Sequence, residues 1–270
     1  MLDPVVSRAW LAEHRADVVL ADVRRDLEIP GADAFAEGHL PGAVLVDLDR
    51  WLAGEASQEQ GRHPLPAPER FAEGMSLAGI GDDATVVAYD DAGGVIAARL
   101  VWMLRALGRD AALLDGALTG DDPVEHGPVA AVPAVFTPRP WPAELLAQAD
   151  DALDGRNVVL DARPRERFHG APDPLDPRPG HVPGARSLPC RESLAEDGLL
   201  LPADVLRSRL AEVGVSGAEP VVAYCGSGVT ACHTLLVMEH AGLGSGRLYV
   251  GSWSQYAADP GRQVELDDPV

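Results

Sequence analysis

The stretch "VVAYCGSGVTACH" at residues 221–233 joins an apolar run to the start of a helical pattern through a loop of small residues. A closely similar stretch, "VVAYDDAGGVIAA", occupies residues 86–98, with Asp90 at the position of Cys225. A short β-branched run, a glycine-containing loop and a helical pattern together indicate one strand–loop–helix unit of an α/β protein. The sequence therefore predicts two copies of one unit, of which only the second carries a cysteine.

Other motifs repeat in the same order along both halves of the chain. "VVLADVR" begins at Val18 and "VVLDARP" begins at Val158, while "GHLPGA" at residues 38–43 returns as "GHVPGA" at residues 180–185. The spacing between matching motifs differs by a few residues, as expected where surface loops differ in length. These motifs indicate a tandem duplication that extends over most of the chain.

Short apolar runs alternate with helical patterns within each copy. Strands are predicted at residues 18–22, 85–89, 111–115, 158–162, 220–224 and 247–250. Helices are predicted at residues 7–15, 67–80, 96–109, 142–154, 202–214 and 230–242. Strands that are apolar on both faces and separated by helices are typical of a parallel sheet covered on both sides. The predicted fold class is α/β, with two such sheets flanked by helices on both faces.

Two stretches rich in proline and glycine lack any period. The first, residues 119–142, is expected to be an extended connection between the copies. We therefore predict an N-terminal domain at 1–122, a linker at 123–142 and a C-terminal domain at 143–270. The second stretch, residues 169–184, lies inside the second copy, where a stiff loop could border a site.

The composition restricts the function classes. The chain has 22 Lys and Arg against 42 Asp and Glu, a formal net charge of −20, which disfavours nucleic acid and anionic membranes as partners. The first residues lack a basic start followed by an apolar run, and we expect a cytoplasmic protein. The three cysteines show neither a disulfide framework nor zinc spacing. We expect no metal and no organic cofactor.

The loop after the second "VVAY" run predicts a nucleophilic cysteine. Glycines let the backbone curl around the sulfur of Cys225, and N–H groups at the start of the following helix would then favour the thiolate. The residues of this predicted anion-binding cradle are Gly226, Ser227, Gly228, Val229 and Thr230. A cysteine phosphatase would need an arginine after five intervening residues, but Ala231 stands there and the loop holds no cation. The sequence therefore argues against phosphoryl transfer.

The tandem pattern D-x-R … G-H-x-P-G-A, with C-x-x-G-V-T-A in the second copy only, resembles the two-domain rhodanese-type sulfurtransferases. The segment "YVGSWSQY" at residues 249–256 is similar to the D-G-S-W segment of that family. The resemblance covers nearly the whole chain. It implies transfer of a sulfane sulfur through a persulfide on Cys225, to a small thiol or cyanide. Thioredoxin and low-molecular-weight thiols are the candidate acceptors.

The two residues after the cysteine bear on the sulfur donor. In the resembling family, thiosulfate enzymes typically carry Arg-Lys there, whereas the 3-mercaptopyruvate branch carries Gly-Ser, as this chain does. Thiosulfate concentrates two negative charges near the transferred sulfur, whereas mercaptopyruvate holds its carboxylate at the far end. The expected donor is 3-mercaptopyruvate. A thiosulfate:cyanide sulfurtransferase and a non-enzymatic persulfide carrier or binding module remain the alternatives.

The resemblance also assigns residues around the loop. Arg167 matches the position that holds the substrate carboxylate, while the second carboxylate-binding arginine has no clean match and Arg178 is the nearest candidate. Asp49 and His63, from the cysteine-free copy, match residues that act with the loop serine, Ser227. An imidazole oriented by a carboxylate can relay a proton through a hydroxyl.

Several other residues are expected to be structural. His39 and His181 occur in both G-H-x-P-G-A motifs and are expected to hold a turn. The repeated pairs Asp22–Arg24 and Asp161–Arg163 are expected to form internal ion pairs. Cys190 and Cys232 lack a glycine-rich cradle, and Cys232 is expected to be a small apolar filler on a helix, with a redox role as the alternative. Trp253 is expected to pack near the site and cover the loop, with plain core packing as the alternative.

Overall fold

The computed structural model describes residues 2–25, 29–120 and 122–266 and divides the chain into two compact units. The first unit comprises the described parts of Met1–Gly54, Leu65–Pro142 and Glu196–Leu200. The second comprises Glu55–Pro64, Ala143–Ala195 and the described part of Leu201–Val270. Each unit is built around its own five-stranded sheet.

The strands of the first sheet are Val5–Val6 (β1), Val19–Arg24 (β2), Val44–Asp47 (β3), Val86–Tyr89 (β4) and Ala111–Leu114 (β5). They lie in the order β1-β5-β4-β2-β3, and every pairing is parallel. Strands β4 and β5 are buried along their whole length, as expected for the interior of a sheet covered on both faces.

The strands of the second sheet are Leu146–Ala147 (β6), Val158–Asp161 (β7), Arg186–Ser187 (β8), Val221–Tyr224 (β9) and Arg247–Tyr249 (β10). Their order, β6-β10-β9-β7-β8, is again fully parallel and matches the first sheet strand for strand. The predicted duplication and the predicted α/β class are therefore both confirmed.

The helices of the first unit are Arg8–His14 (α1), Gly31–Glu37 (α2), Pro68–Leu77 (α3) and Ala98–Ala106 (α4). Those of the second unit are Arg165–Phe168 (α5), Ala203–Glu212 (α6), Thr230–His240 (α7) and Ser252–Tyr256 (α8). Ser7 caps α1 through its hydroxyl, which accepts the N–H of Trp10. Helix α4 is followed by Gly108 with φ of +73°, a common way to end a helix. None of the helices in the described ranges combines the length and the apolar composition that a membrane-spanning helix requires.

One predicted helix, at residues 142–154, is wrong. The chain there forms a 3₁₀ turn at Ala143–Leu145, strand β6, and a second 3₁₀ turn at Asp151–Leu153. The carboxylate of Asp151 accepts the N–H of Gln148 at 2.8 Å, and it also binds Arg247 at 2.8 Å. A short acidic side chain that bonds the local backbone competes with the helical hydrogen bonds, so the apolar spacing of this segment is overridden.

The repeated Asp-x-Arg pairs are internal ion pairs, as predicted. Asp22 binds Arg24 at 2.6 Å, and Asp161 binds Arg163 at 2.6 Å. All four side chains are buried. Burial raises the pKa of Asp22, while the guanidinium of Arg24 beside it acts in the opposite direction. These pairs lie at the carboxyl ends of β2 and β7, each next to the central strand of its sheet.

The two histidines of the repeated G-H-x-P-G-A motif are structural, as predicted. His39 stacks on Phe35 with ring centroids 3.8 Å apart, and its Nδ1 is hydrogen-bonded to the carbonyl of Phe35 at 2.9 Å. His181 stacks on Phe168 at 3.7 Å, and its Nδ1 is bonded to the Phe168 carbonyl at 2.8 Å. Identical contacts in both copies assign this histidine to the fold.

The proline-rich stretch at 119–142 follows the surface of the first unit. Glu125 pairs with the backbone of His39, and Phe136 packs edge-on against Phe71 at 5.5 Å. Described residues 122–142 contain no helix or extended strand, and Asp121 lies outside the described residues. The predicted boundaries at 122 and 143 stay predictions.

Each copy contributes one segment to the unit of the other copy. In the second unit, the N–H of Arg62 donates to Ser254 Oγ at 3.0 Å, although Arg62 belongs to the first repeat. In the first unit, the N–H of Leu200 donates to Asp115 Oδ1 at 2.8 Å, although Leu200 belongs to the second repeat. Residues 55–64 therefore lie with the sheet that carries Cys225.

Candidate active site

Cys225 follows directly after β9 and precedes α7, which begins at Thr230 after Val229. Its side chain is buried, with 2% of the residue exposed, and its Sγ accepts the N–H of Gly228 at 3.1 Å. Gly228 adopts φ of +77°, and a Cβ at this position would lie 2.5 Å from the carbonyl oxygen of Val250. A side chain is therefore excluded where the loop passes closest to the neighbouring backbone.

The segment 249–256 holds the loop in place. The N–H groups of Trp253 and Ser254 donate to the carbonyls of Cys225 and Gly226, each at 2.9 Å. Ser252 Oγ accepts the N–H of Cys225 at 3.2 Å and donates to the carbonyl of Tyr249 at 2.8 Å. Ser252 is the non-glycine residue with positive φ, +51°, among the described residues, a conformation that such residues adopt only when the surrounding contacts require it.

The matching loop of the first copy contains its own anion. The carboxylate of Asp90 accepts four backbone N–H groups at 2.7–2.8 Å. The donors are Ala92, Gly94, Ile96 and Ala97. The carboxylate thus occupies the centre of a cradle of the kind predicted around Cys225, and this copy has no thiol there.

His63 and Ser227 meet beside the cysteine loop. Nδ1 of His63 lies 2.7 Å from Oγ of Ser227, and both residues are buried. His63 reaches this position because residues 55–64 belong to the second unit. An imidazole hydrogen-bonded to a hydroxyl can move a proton to or from a group in contact with that hydroxyl.

Asp49 belongs to the first unit, where it lies half-buried in a single π-helical turn at Leu48–Leu52 that follows β3. Its place in the predicted relay stays a prediction.

Two arginines border the cysteine loop. The position that a Cβ on Gly226 would take lies 2.9 Å from Nη2 of Arg62 and 3.5 Å from Nη2 of Arg167. Arg167 was predicted near the site, and the structure places it there on α5. Sequence reasoning missed Arg62, although its position directly before His63 was a usable signal.

Arg178 is bonded to the backbone. Its guanidinium donates to the carbonyls of Ala257 at 2.9 Å, Arg262 at 3.0 Å and Asp259 at 2.8 Å. Its own carbonyl accepts Nε1 of the buried Trp253 at 3.0 Å. These contacts favour a structural role for Arg178. The predicted contact of Arg178 with the substrate stays a prediction.

The two other cysteines are buried free thiols. Cys232 lies on α7 and donates to the carbonyl of Gly228 at 3.3 Å. Burial raises the pKa of the Cys190 thiol to about 11, which keeps it protonated at neutral pH and disfavours its use as a nucleophile. Among the described residues, no group of three or more His, Cys, Asp or Glu side chains could hold a metal ion.

A model of the rhodanese-like domain matches residues 7–120 and again residues 144–259. The chain belongs to the rhodanese-like domain family. The second rhodanese-like domain carries Cys225, while the first has Asp90 at the equivalent position. The two-domain rhodanese-type organisation predicted from the motifs is confirmed.

Named relatives align along nearly the whole chain. The probable 3-mercaptopyruvate sulfurtransferase of Pseudomonas aeruginosa is 39% identical, with 93% of each chain covered. The putative thiosulfate sulfurtransferase SseB of Mycobacterium tuberculosis is 36% identical, covering 92% of this chain and 90% of the relative. The crystal structure of the 3-mercaptopyruvate sulfotransferase SseA from Escherichia coli superposes with a TM-score of 0.79 at 33% identity, covering 94% of this chain and 100% of that chain.

Proposed function

We propose that this protein is a sulfurtransferase that takes a sulfur atom from 3-mercaptopyruvate onto Cys225 and passes it to a thiol or to cyanide, releasing pyruvate. The observation that carries the proposal is Cys225 in a loop of neutral side chains, with the next hydroxyl, Ser227, bonded to His63 at 2.7 Å. Relatives named as 3-mercaptopyruvate sulfurtransferases at 34–39% identity support the same donor.

The first half-reaction forms a persulfide. The Cys225 thiolate attacks the donor sulfur, an S–S bond forms, and the S–C bond breaks with its electron pair going to C3 of the pyruvate enolate. The enolate takes one proton and leaves as pyruvate. Ser227 bonded to His63 supplies that proton, because an imidazole can hold or release a proton near neutral pH.

The cysteine loop stabilises the sulfur that is transferred. The N–H of Gly228 already bonds the sulfur of Cys225 at 3.1 Å, and N–H groups at the start of a helix favour a negatively charged group. Arg167, at the edge of Gly226, binds the donor carboxylate as a charge-assisted partner.

The second half-reaction returns the enzyme to its starting form. An acceptor thiolate attacks the outer sulfur, a new S–S bond forms on the acceptor, and the Cys225 thiolate leaves. With cyanide as acceptor the product is thiocyanate. Low-molecular-weight thiols and thioredoxin, in the cytoplasm, are the acceptors that we propose.

The test is steady-state turnover with 3-mercaptopyruvate and with thiosulfate, together with the intact mass of the protein after each donor. We expect faster turnover with 3-mercaptopyruvate, ping-pong kinetics and the added mass of one sulfur atom, which is lost in Cys225→Ser. Faster transfer from thiosulfate would favour the activity for which the Mycobacterium tuberculosis relative is named. A stable added sulfur that no small thiol or cyanide removes would indicate a carrier.

A further inference from the structure

A buried carboxylate joins the two arginines that border the cysteine loop. Asp176 lies in the proline-rich loop of the second copy, and its side chain is 4% exposed. Its Oδ1 accepts Nη1 of Arg62 at 2.6 Å, and its Oδ2 accepts Nη2 of Arg167. A third guanidinium, that of Arg163, lies 3.7 Å away. Two arginines from distant parts of the sequence therefore share one carboxylate.

The remaining edge of Arg62 is directed at the loop. Asp176 holds Nη1 of Arg62, whereas Nη2 of the same guanidinium lies 2.9 Å from the position of a Cβ on Gly226. The carbonyl of Leu175 also accepts Nη1 at 2.7 Å. These contacts fix the plane of the guanidinium, so that its orientation is set before any ligand binds.

The charges around the loop nearly cancel. The two positive charges of Arg62 and Arg167 lie beside the two negative charges of Asp173 and Asp176. Asp173 lies 3.1 Å from Nε of Arg167, and Asp176 binds both guanidiniums. Arg163 is already paired with Asp161 at 2.6 Å. Such a neutral cluster offers guanidinium N–H donors to one further carboxylate without the excess positive charge that a concentrated dianion requires.

We infer that Arg62 is the second arginine that binds the donor carboxylate, with Arg167 as its partner, and that Asp176 is a positioning residue that holds the two guanidiniums together at the loop. The inference rests on the proposed function, because it concerns the carboxylate of that donor. It fills the role for which Arg178, bonded to backbone carbonyls, was the nearest candidate from sequence. A monocarboxylate donor with its sulfur at the other end then reaches Cys225.

The test compares Arg62→Gln, Arg62→Lys and Asp176→Asn with the wild-type protein in turnover of 3-mercaptopyruvate. In Arg62→Gln we expect KM to rise by about tenfold to a hundredfold, with kcat changed by less than about threefold, as for the loss of a charge-assisted hydrogen bond. Arg62→Lys is expected to recover part of the loss, since an ammonium keeps the charge but not the planar fork.

The double variant separates positioning from general structural damage. If Asp176 acts through Arg62, Asp176→Asn raises KM and adds little to it in the Arg62→Gln background. Arg165→Gln is the matched control, because Arg165 lies on the same helix as Arg167 but pairs with the exposed Glu192 at 2.6 Å. Its KM should equal that of the wild type.

The outcomes distinguish this inference from the proposed function. Absence of wild-type turnover with 3-mercaptopyruvate would overturn both. Wild-type turnover with an unchanged KM in Arg62→Gln, or a fall confined to kcat, would overturn the role of Arg62 alone. Loading of Cys225 by inorganic polysulfide, followed by intact mass, should be the same in all variants and shows that the nucleophile is intact.

Discussion

The ring nitrogen Nδ1 of His63 lies 2.7 Å from the hydroxyl oxygen of Ser227, across a separation of 164 residues in the chain. The contact exists because a ten-residue segment of the first repeat, Glu55–Pro64, belongs to the second unit. In the proposed reaction this contact supplies a proton donor one residue beyond Gly226. Substitution of either His63 or Ser227 removes the contact.

Ser227→Ala and His63→Gln should each slow the release of pyruvate. We expect kcat with 3-mercaptopyruvate to fall about a hundredfold in both, because a positioned proton donor contributes about 10²–10⁴-fold. The two changes should not add, since they break one contact. Steady-state kinetics measure this. The control is Ser208→Ala, which removes an exposed hydroxyl on α6 that donates to the carbonyl of Asp204 at 2.9 Å. Unaltered kcat in Ser227→Ala would remove Ser227 and His63 from the reaction.

Gly228→Ala should disturb the cysteine loop by more than the cost of placing alanine at the positive φ of Gly228. The added Cβ would lie 2.5 Å from the carbonyl of Val250, whereas a Cβ on Gly242, with a similar φ of +75°, meets nothing within 4 Å. Both variants should lose about 1 kcal/mol from the strained backbone. Only Gly228→Ala should also displace the N–H that bonds Cys225, seen as slower persulfide formation by intact mass. Equal rates in the two alanine variants would contradict this role of the Gly228 N–H.

Asp90→Ala should destabilise the first unit. The change leaves four backbone N–H groups without the carboxylate that accepts them, and we expect a loss of about 2–4 kcal/mol in the free energy of unfolding. The control is the adjacent Asp91→Ala, which removes a half-exposed partner of Arg24 and should cost less than about 1 kcal/mol. Urea unfolding at pH 7 measures both. Similar losses would show that the Asp90 contacts contribute little.

His233 should make the stability of the second unit depend on pH. Burial lowers its pKa to about 4, from an ordinary value of 6.5, and neither ring nitrogen has a hydrogen-bond partner among the described residues. As the pH falls below 6.5, the unfolded chain takes up a proton that the folded chain does not, so stability is lost between pH 6.5 and 4.

The comparison of wild type with His233→Leu isolates this histidine from the other titrating groups. Between pH 7 and pH 5 the wild type should lose about 2 kcal/mol more in free energy of unfolding than the variant. At pH 7 the two proteins should differ little, since leucine replaces a neutral imidazole that forms no hydrogen bond in the described part of the chain. Parallel pH profiles would mean that His233 is hydrated in the folded protein.

Local patterns predicted most of the fold. Strands such as Val86–Tyr89 and Val221–Tyr224 are short, apolar and followed by glycine-containing loops, and each lies where predicted. The segment at 142–154 was misassigned because the Asp151 carboxylate bonds the backbone three residues earlier, a contact that apolar spacing does not reveal.

The candidate site was predictable where its chemistry lies in one loop, and not where partners are distant. Cys225 and the glycines after it can be identified in the sequence because they directly follow the apolar run at residues 221–224. Arg62 depends on Asp176, 114 residues away, and a carboxylate in a proline-rich loop gives no sign in the sequence of which guanidiniums it will join. Ser252 was likewise not predicted, because its role depends on hydrogen bonds to Cys225 and Tyr249 that form only in the folded chain.

The membership of Glu55–Pro64 in the second unit limits how this duplicated gene can be divided. A protein beginning after Pro142 would retain the nucleophile, its loop and the segment that holds the loop, yet it would lose the imidazole of His63 and the guanidinium of Arg62. Both halves expressed from separate genes would have to find each other before either contact existed. The second repeat on its own therefore does not contain the complete second unit, because that unit includes Glu55–Pro64 of the first repeat.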